Sequence, residues 1–201
     1  RGGVVGVVRG GVAGGGAAGG AEDEGNDPRA RGAACSPRAD WKTAMHSATG
    51  FRSRGLAAEA FQALFALSDA GLARHGARRM HVESEHSYPC RVSLEDAQIG
   101  EQVLLLNWQH LDSASPYRAS GPIFVREHAH AATEFVDVVP EQQRRRLLSV
   151  RAYDADDIMR TAEVLQGEAL EAQIQNYFAD PSIRYLHVHN ARPGCFACRV
   201  D

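Results

Sequence analysis

The chain has 201 residues, a net charge of −3 and 44% apolar residues. It shows no basic footprint for nucleic acid and no run of about eighteen apolar residues that would span a membrane. Its four cysteines are too few for a disulfide framework, so a reducing cytoplasm is the expected compartment. The oligomeric state is not legible.

The first stretch, RGGVVGVVRGGVAGGGAAGG, is a Gly/Ala/Val run without helical period. It cannot bury enough side chain to offset the entropy of ordering it. The polar segment that follows is punctuated by Pro28 and Pro37 and carries Cys35, to which no role is assigned. Residues 1–48 are therefore expected to be a low-complexity, disordered tail. Since the first residue is Arg rather than Met, a fragment or a processed end is expected there. Residues 49–201 are expected to form a single α+β domain, long enough for one core.

Within that domain, FRSRGLAAEAFQALFALSDAGLARHGARR reads as two short helices. Phe61, Leu64 and Phe65 form a stripe at helical spacing, and Ser68 suits the second N-cap. ARRMHVES reads as a short strand and SYPCRVSLEDAQIGE as a loop. Val103–Leu106 is a continuous apolar run, as in a strand covered on both faces. LDSASPYRASGP is polar loop, GPIFVRE a strand, and VPEQQRRRLL a helix with Pro140 at its first position. LLSVRAY and IMRTAEVL read as a hairpin turning at the acidic run Asp154, Asp156 and Asp157. GEALEAQIQNYFAD has the clearest helical stripe and is stopped at Asp180–Pro181. Strands joined by tight turns pair antiparallel. The class is thus α+β, with an antiparallel or mixed sheet and helices packed on one side.

The last stretch, from Tyr185 to Asp201, holds two of the nine histidines and two of the four cysteines. It reads as a hairpin, YLHVHN and CFACRV around ARPG. Side chains alternate faces with period two, so Tyr185, His187 and His189 share one face and Leu186 and Val188 the other. Pairing Asn190 with Phe196 gathers Leu186, Val188, Phe196, Cys198 and Val200 into the core. His187, His189, Cys195 and Arg199 then share the opposite face. In a continuous strand Cys195 and Cys198 point apart, which argues against their acting together as a Cys-x-x-Cys metal or redox pair.

The segments YPCRVSLEDAQIGEQVLLLNW, YRASGPIFVRE, LLSVRAYDAD and YLHVHNARPGCFACRV together resemble an uncharacterised bacterial family, domain of unknown function family 1203, over about residues 51–201. The resemblance implies a small single domain with no assigned activity, and it supplies no catalytic residues.

From the residues themselves, the expected site is a polar cleft lined by Cys195, His189 and His187. Cys195 would be a thiol nucleophile assisted by a histidine. Cys90, flanked by Arg91, is a second candidate thiol. Arg118, Ser120, Arg151 and Arg199 are candidates to bind a small anionic molecule, since guanidinium groups suit carboxylates and phosphates. An ion pair of Arg151 with the nearby aspartates competes with that reading. The alternative is a metal-binding protein using His187 and His189, two apart on a strand, for a divalent ion such as zinc. The third ligand would be Cys195, His110 or one of Asp154–Asp157. A non-catalytic ligand- or partner-binding domain also remains open, as do solvated surface histidines.

If the tail contributes no core, deleting residues 1–48 leaves the melting temperature unchanged. Calorimetry of the full and shortened chains checks this, and a large drop would show that the tail packs on the domain.

Overall fold

The computed structural model describes residues 50–201 of the chain; the expected tail and Cys35 lie outside the described residues. The elements in order are β1 (Arg52–Arg54), α1 (Glu59–Phe65), α2 (Asp69–Arg74), β2 (Arg78–His81), β3 (Gln102–Leu111), β4 (Ala119–Arg126), β5 (Glu134–Val136), α3 (Glu141–Arg144), β6 (Leu147–Tyr153), β7 (Met159–Gln166), α4 (Leu170–Phe178), β8 (Tyr185–Asn190) and β9 (Phe196–Val200). A 3₁₀ turn, Gly167–Ala169, leads into α4. The class is α+β, as expected, with every strand pair antiparallel.

The strands form two sheets. The larger runs β5-β1-β9-β8-β6-β7 and the smaller β2-β3-β4. The C-terminal hairpin therefore supplies the two central strands of the larger sheet. Their β-branched and apolar residues are what a position covered on both faces demands. FRSR reads from sequence as the start of a helix, but β1 pairs there with β5 and β9. Tertiary pairing overrides local propensity in so short a segment. Ser120, expected in a loop, lies on β4 opposite Gln109.

One core lies between the larger sheet and α4. Leu148, Val150, Leu186, Val188, Cys198 and Val200 meet Leu170 and Ile174 there. A second core covers the smaller sheet, where Leu104, Leu106, Ile123 and Val125 meet Phe61 and Leu72. Ser68 caps α2 by accepting from the Gly71 N–H at 3.2 Å, as its residue type predicts. On the face of the larger sheet opposite α4, the end of β3 comes down: Leu111 packs on Tyr153 and Tyr185. That contact joins the two sheets and builds the site.

The C-terminal hairpin departs from its expected register at one point. Leu186 faces Val200, His187 faces Arg199 and Val188 faces Cys198, as expected, but His189 faces Phe196. Ala197 is thus an extra residue, a β-bulge. Beyond it the alternation reverses, and Asn190 pairs with Cys195 through Asn190 N–H to Cys195 O at 2.9 Å. Gly194 closes the turn with a backbone φ of 73°, a conformation glycine adopts without strain.

Gly167 is a point of close backbone approach. Its N–H donates to Arg146 O at 2.8 Å, and a methyl group in place of its hydrogen would overlap the Gln143 carbonyl oxygen. The entry to α4 is pressed against α3, with no room for a side chain. Gly167→Ala should cost at least about 2 kcal/mol, as overpacking does. Urea unfolding measures this, and a change within about 0.5 kcal/mol would contradict the close approach.

Candidate functional site

Two clusters of chemistry-bearing side chains lie on opposite sides of the C-terminal hairpin. The first is built on the face of β8 turned away from α4. Strand alternation brings His187 and His189 to that face, and the end of β3 carries His110 over them. A register irregularity lies between Gln109 and Leu111. The His110 ring sits 5.9 Å from His187 and 5.1 Å from His189, centroid to centroid, and stacks on Phe196 at 5.0 Å. One ring nitrogen from each of the three histidines lies within 4.8 Å of those of the other two.

The histidines do not line an open cleft. Every residue of β8 is buried, and His187 and His189 are 2% and 1% exposed. The competing expectation of solvated surface histidines fails for the same reason. Nδ1 of His187 and Nε2 of His189 are buried without a hydrogen-bond partner; Nδ1 of His110 is buried without a well-aligned one, although the Trp108 backbone is close enough to raise its pKa. Buried polar atoms are normally satisfied, and leaving one unsatisfied costs about 1–3 kcal/mol. The other nitrogen of His189 is held, because Nδ1 donates to the Gly194 carbonyl at 3.1 Å. In the neutral ring that bond leaves the Nε2 lone pair free.

Burial keeps these rings neutral. It lowers the His187 pKa to about 3, helped by His189, His110, Arg199 and Arg151. Burial and then Arg151 lower His189 to about 3, against the Gly194 bond, which raises it. His110 is also lowered, first by burial.

Arg151 lies directly across from His187 on β6, and Arg199 across from it on β9. Arg199 also stacks over the Tyr185 ring at 3.9 Å and bonds Asp201. These two expected anion-binding residues therefore do flank the histidines. Arg118 does not, being exposed and paired with Asp112 at 3.2 Å. Ser120 is exposed on β4.

The expected Cys195–histidine pair is not formed. The bulge turns Cys195 away from the histidine face, and its Sγ accepts instead from Arg91 Nη2 at 2.9 Å and Asn190 Nδ2 at 3.4 Å. Phe196, expected among the apolar core residues, packs against His187 and His189 on the other face and is still 2% exposed. Cys198 is core, as expected, and burial pushes its thiol up to about 12. Cys90 is fully buried, so it offers no accessible thiol. Asp157 takes no part as a ligand; it accepts from the Tyr185 hydroxyl at 2.7 Å.

The second cluster surrounds Cys195. A cleft of about 870 Å³ lies beside the hairpin turn, and Arg91, Arg145, Arg146, Arg192, Asn190 and Cys195 line it. Arg91 is 1% exposed. Its Nε donates to Phe196 O at 2.7 Å and its Nη1 to Pro89 O. Burial lowers its pKa, whereas Cys195 and Cys90 raise it. In the sequence Arg91 stands out only as a neighbour of Cys90. Nothing in its local sequence says that a guanidinium there turns inward.

Two antiparallel sheets with their helices, a buried cluster of histidines and an arginine-lined cleft thus define a small α+β domain. The chain belongs to the family described as protein of unknown function (DUF1203), whose model matches residues 87–201. That span holds all three histidines, Cys195 and the four cleft arginines. No curated protein matches the chain. No solved structure matches it. Among the described residues no helix is long and apolar enough to cross a membrane.

The neutral histidines set an acid limit. Unfolded imidazole titrates near about 6.5, whereas folded His187 and His189 titrate at about 3. Between those values the unfolded chain binds protons that the folded chain does not. Stability of the metal-free protein should therefore fall as pH drops from about 6.5 towards 3, by up to about 1.4 kcal/mol per pH unit for each histidine. Urea unfolding at several pH values checks this. His187→Gln should flatten the slope, and an unchanged slope would refute the assignment.

Proposed function

We propose that this is a metal-binding protein whose ion is held by His110, His187 and His189. The observation that carries the reading is the set of three buried ring nitrogens without a well-aligned hydrogen bond, one on each histidine. The three rings also bring one nitrogen each within 4.8 Å of the others, and neutral rings have lone pairs to offer a cation. Zinc is the favoured ion, since three imidazoles make a familiar zinc ligand set with one coordination position left over. Zinc–nitrogen bonds of about 2.0–2.1 Å require nitrogens about 3.3 Å apart, so the rings would draw together by at most about 1.5 Å. The His189 Nδ1–H bond to Gly194 O is the kind of outer support that orients a ligating imidazole.

The fourth position favours an anion, because Arg151 and Arg199 put positive charge on the same face. An ion so placed would act as a Lewis acid towards that ligand. Expecting His110 as third ligand fits this reading, and Cys195 has no part in it. Three free cysteines among the described residues suit a reducing compartment, which supports a cytoplasmic location.

The test is metal content and affinity. Chain loaded with zinc and dialysed should retain about one equivalent by elemental analysis. At free zinc 100-fold above its Kd, the metal should add about 2.7 kcal/mol of stability. His187→Ala should weaken binding by more than about 100-fold. His110→Ala does the same on a less buried residue, so the test survives if His187→Ala folds poorly. Cobalt in place of zinc should give the visible absorption of a tetrahedral site. No retained metal, or equal retention by both variants, would refute the proposal.

A further inference from the structure

The cleft around Cys195 carries an inference independent of the metal reading. Among the described residues that line it there are four arginines and no carboxylate, in a chain whose net charge is −3. Two of the four are already neutralised from outside the cleft. Asp96 bonds Arg146 at 2.6 Å and reaches Arg145 at 3.8 Å, and Glu141 bonds Arg145 at 3.0 Å. Arg91 and Arg192 have no carboxylate partner among the described residues. For exposed Arg192 this is ordinary. For Arg91 it is not, because a buried cation needs compensating charge. Its partners are two carbonyl oxygens and a sulfur, which supply dipoles but no carboxylate.

The rest of the lining includes the polar His86, Ser87 and Gln166 and an apolar stretch. Leu105, Pro122, Phe124 and Leu147 form that stretch. The volume, about 870 Å³, falls in the range of small-molecule sites. A ligand that suits this lining has an oxyanion at one end and an apolar body at the other. Guanidinium groups select oxyanions over halides because their parallel N–H groups match two oxygens at once. Arg91 is well held, by Phe196 O on one side and Pro89 O on another, so it loses little freedom when an anion arrives.

We propose that this cleft binds a small organic oxyanion, a phosphate or carboxylate on an apolar body, with Arg91 and Arg192 taking the charge and Leu105 and Phe124 the body. Cys195 Sγ stands beside the anion's place, bonded to Arg91 and Asn190. A bound ligand therefore covers the thiol. Arg91 also bonds the carbonyl of Phe196, whose ring packs on the histidines, so the floor of the cleft is continuous with the support of the other site.

The experiment titrates metal-free full-length chain by calorimetry with phenyl phosphate, benzoate, inorganic phosphate and phenol. At least one of the two organic oxyanions should saturate, and the tighter of them identifies the head group. Inorganic phosphate should bind more weakly and phenol should not bind. Arg192→Gln should weaken the favoured anion about tenfold with an unchanged melting temperature. Arg91→Lys, which keeps the charge but loses the fork, should weaken it further. In parallel, brief alkylation with peptide mapping separates Cys195 from Cys35 and from buried Cys90 and Cys198. Cys195 should be labelled before Cys90 and Cys198, and the ligand should slow its labelling. Three results would overturn the proposal: no saturation at about 10 mM of either organic oxyanion, phenol binding as well as they do, or Arg192→Gln binding like the parent chain without any loss of Cys195 protection. Because metal-free protein is used, none of them bears on the histidine centre.

Discussion

Ala197 sits unpaired between Cys198, which faces Val188, and Phe196, which faces His189. That one extra residue reverses the alternation of β9 at its start. On the α4 side it leaves Cys198 and Val200 in the core with Val188 and Leu186. On the other side it delivers the Phe196 ring beneath His110, where a continuous strand would have put Ala197. It also turns Cys195 to the side of Asn190 and Arg91. The histidine cluster and the arginine cleft are two outcomes of the same bulge.

Burial then sets the chemistry of each cluster. His187 lies against Tyr153 and Tyr185 and all three imidazoles against Phe196, so burial holds them neutral with lone pairs available. Arg151 and Arg199 reinforce this, because a third positive charge beside them is disfavoured. Arg91 cannot lose its proton in the same way, so its burial is offset by contact with two carbonyls and a sulfur. The proposed roles follow from this difference: one cluster would take a cation with an anionic co-ligand, and the other an anion directly.

The fold supports both sites with rigid elements. β8 is paired on both edges, by β6 and β9, and covered on both faces. His187 and His189 are therefore fixed by the sheet, and only His110, at the irregular end of β3, comes from another layer. Phe196 O links Arg91 to the same hairpin. A ligand in the cleft and an ion on the histidines would press on opposite sides of one strand.

Much of this was legible in the residues. The Leu186/Val188 stripe, the Cys198 core position, the β6–β7 hairpin, the Ser68 cap and the α4 stripe follow from periods of 2.0 and 3.6 and from local capping chemistry. The division of Cys195 from Cys198 by face does not hold, because the bulge turns Cys195 off the histidine face on which simple alternation places it. His110 could be named as a ligand candidate because it ends a buried strand. What the sequence could not decide was the bulge, since a strand with an inserted residue and one without it show the same alternation on either side. β1 and β5 were equally hidden, being three-residue strands held by pairing rather than by propensity. Above all, the inward turn of Arg91 and the closure of β3 over the histidines depend on residues about 80 to 100 positions apart in the chain. Only packing the two sheets together decides which of them meet.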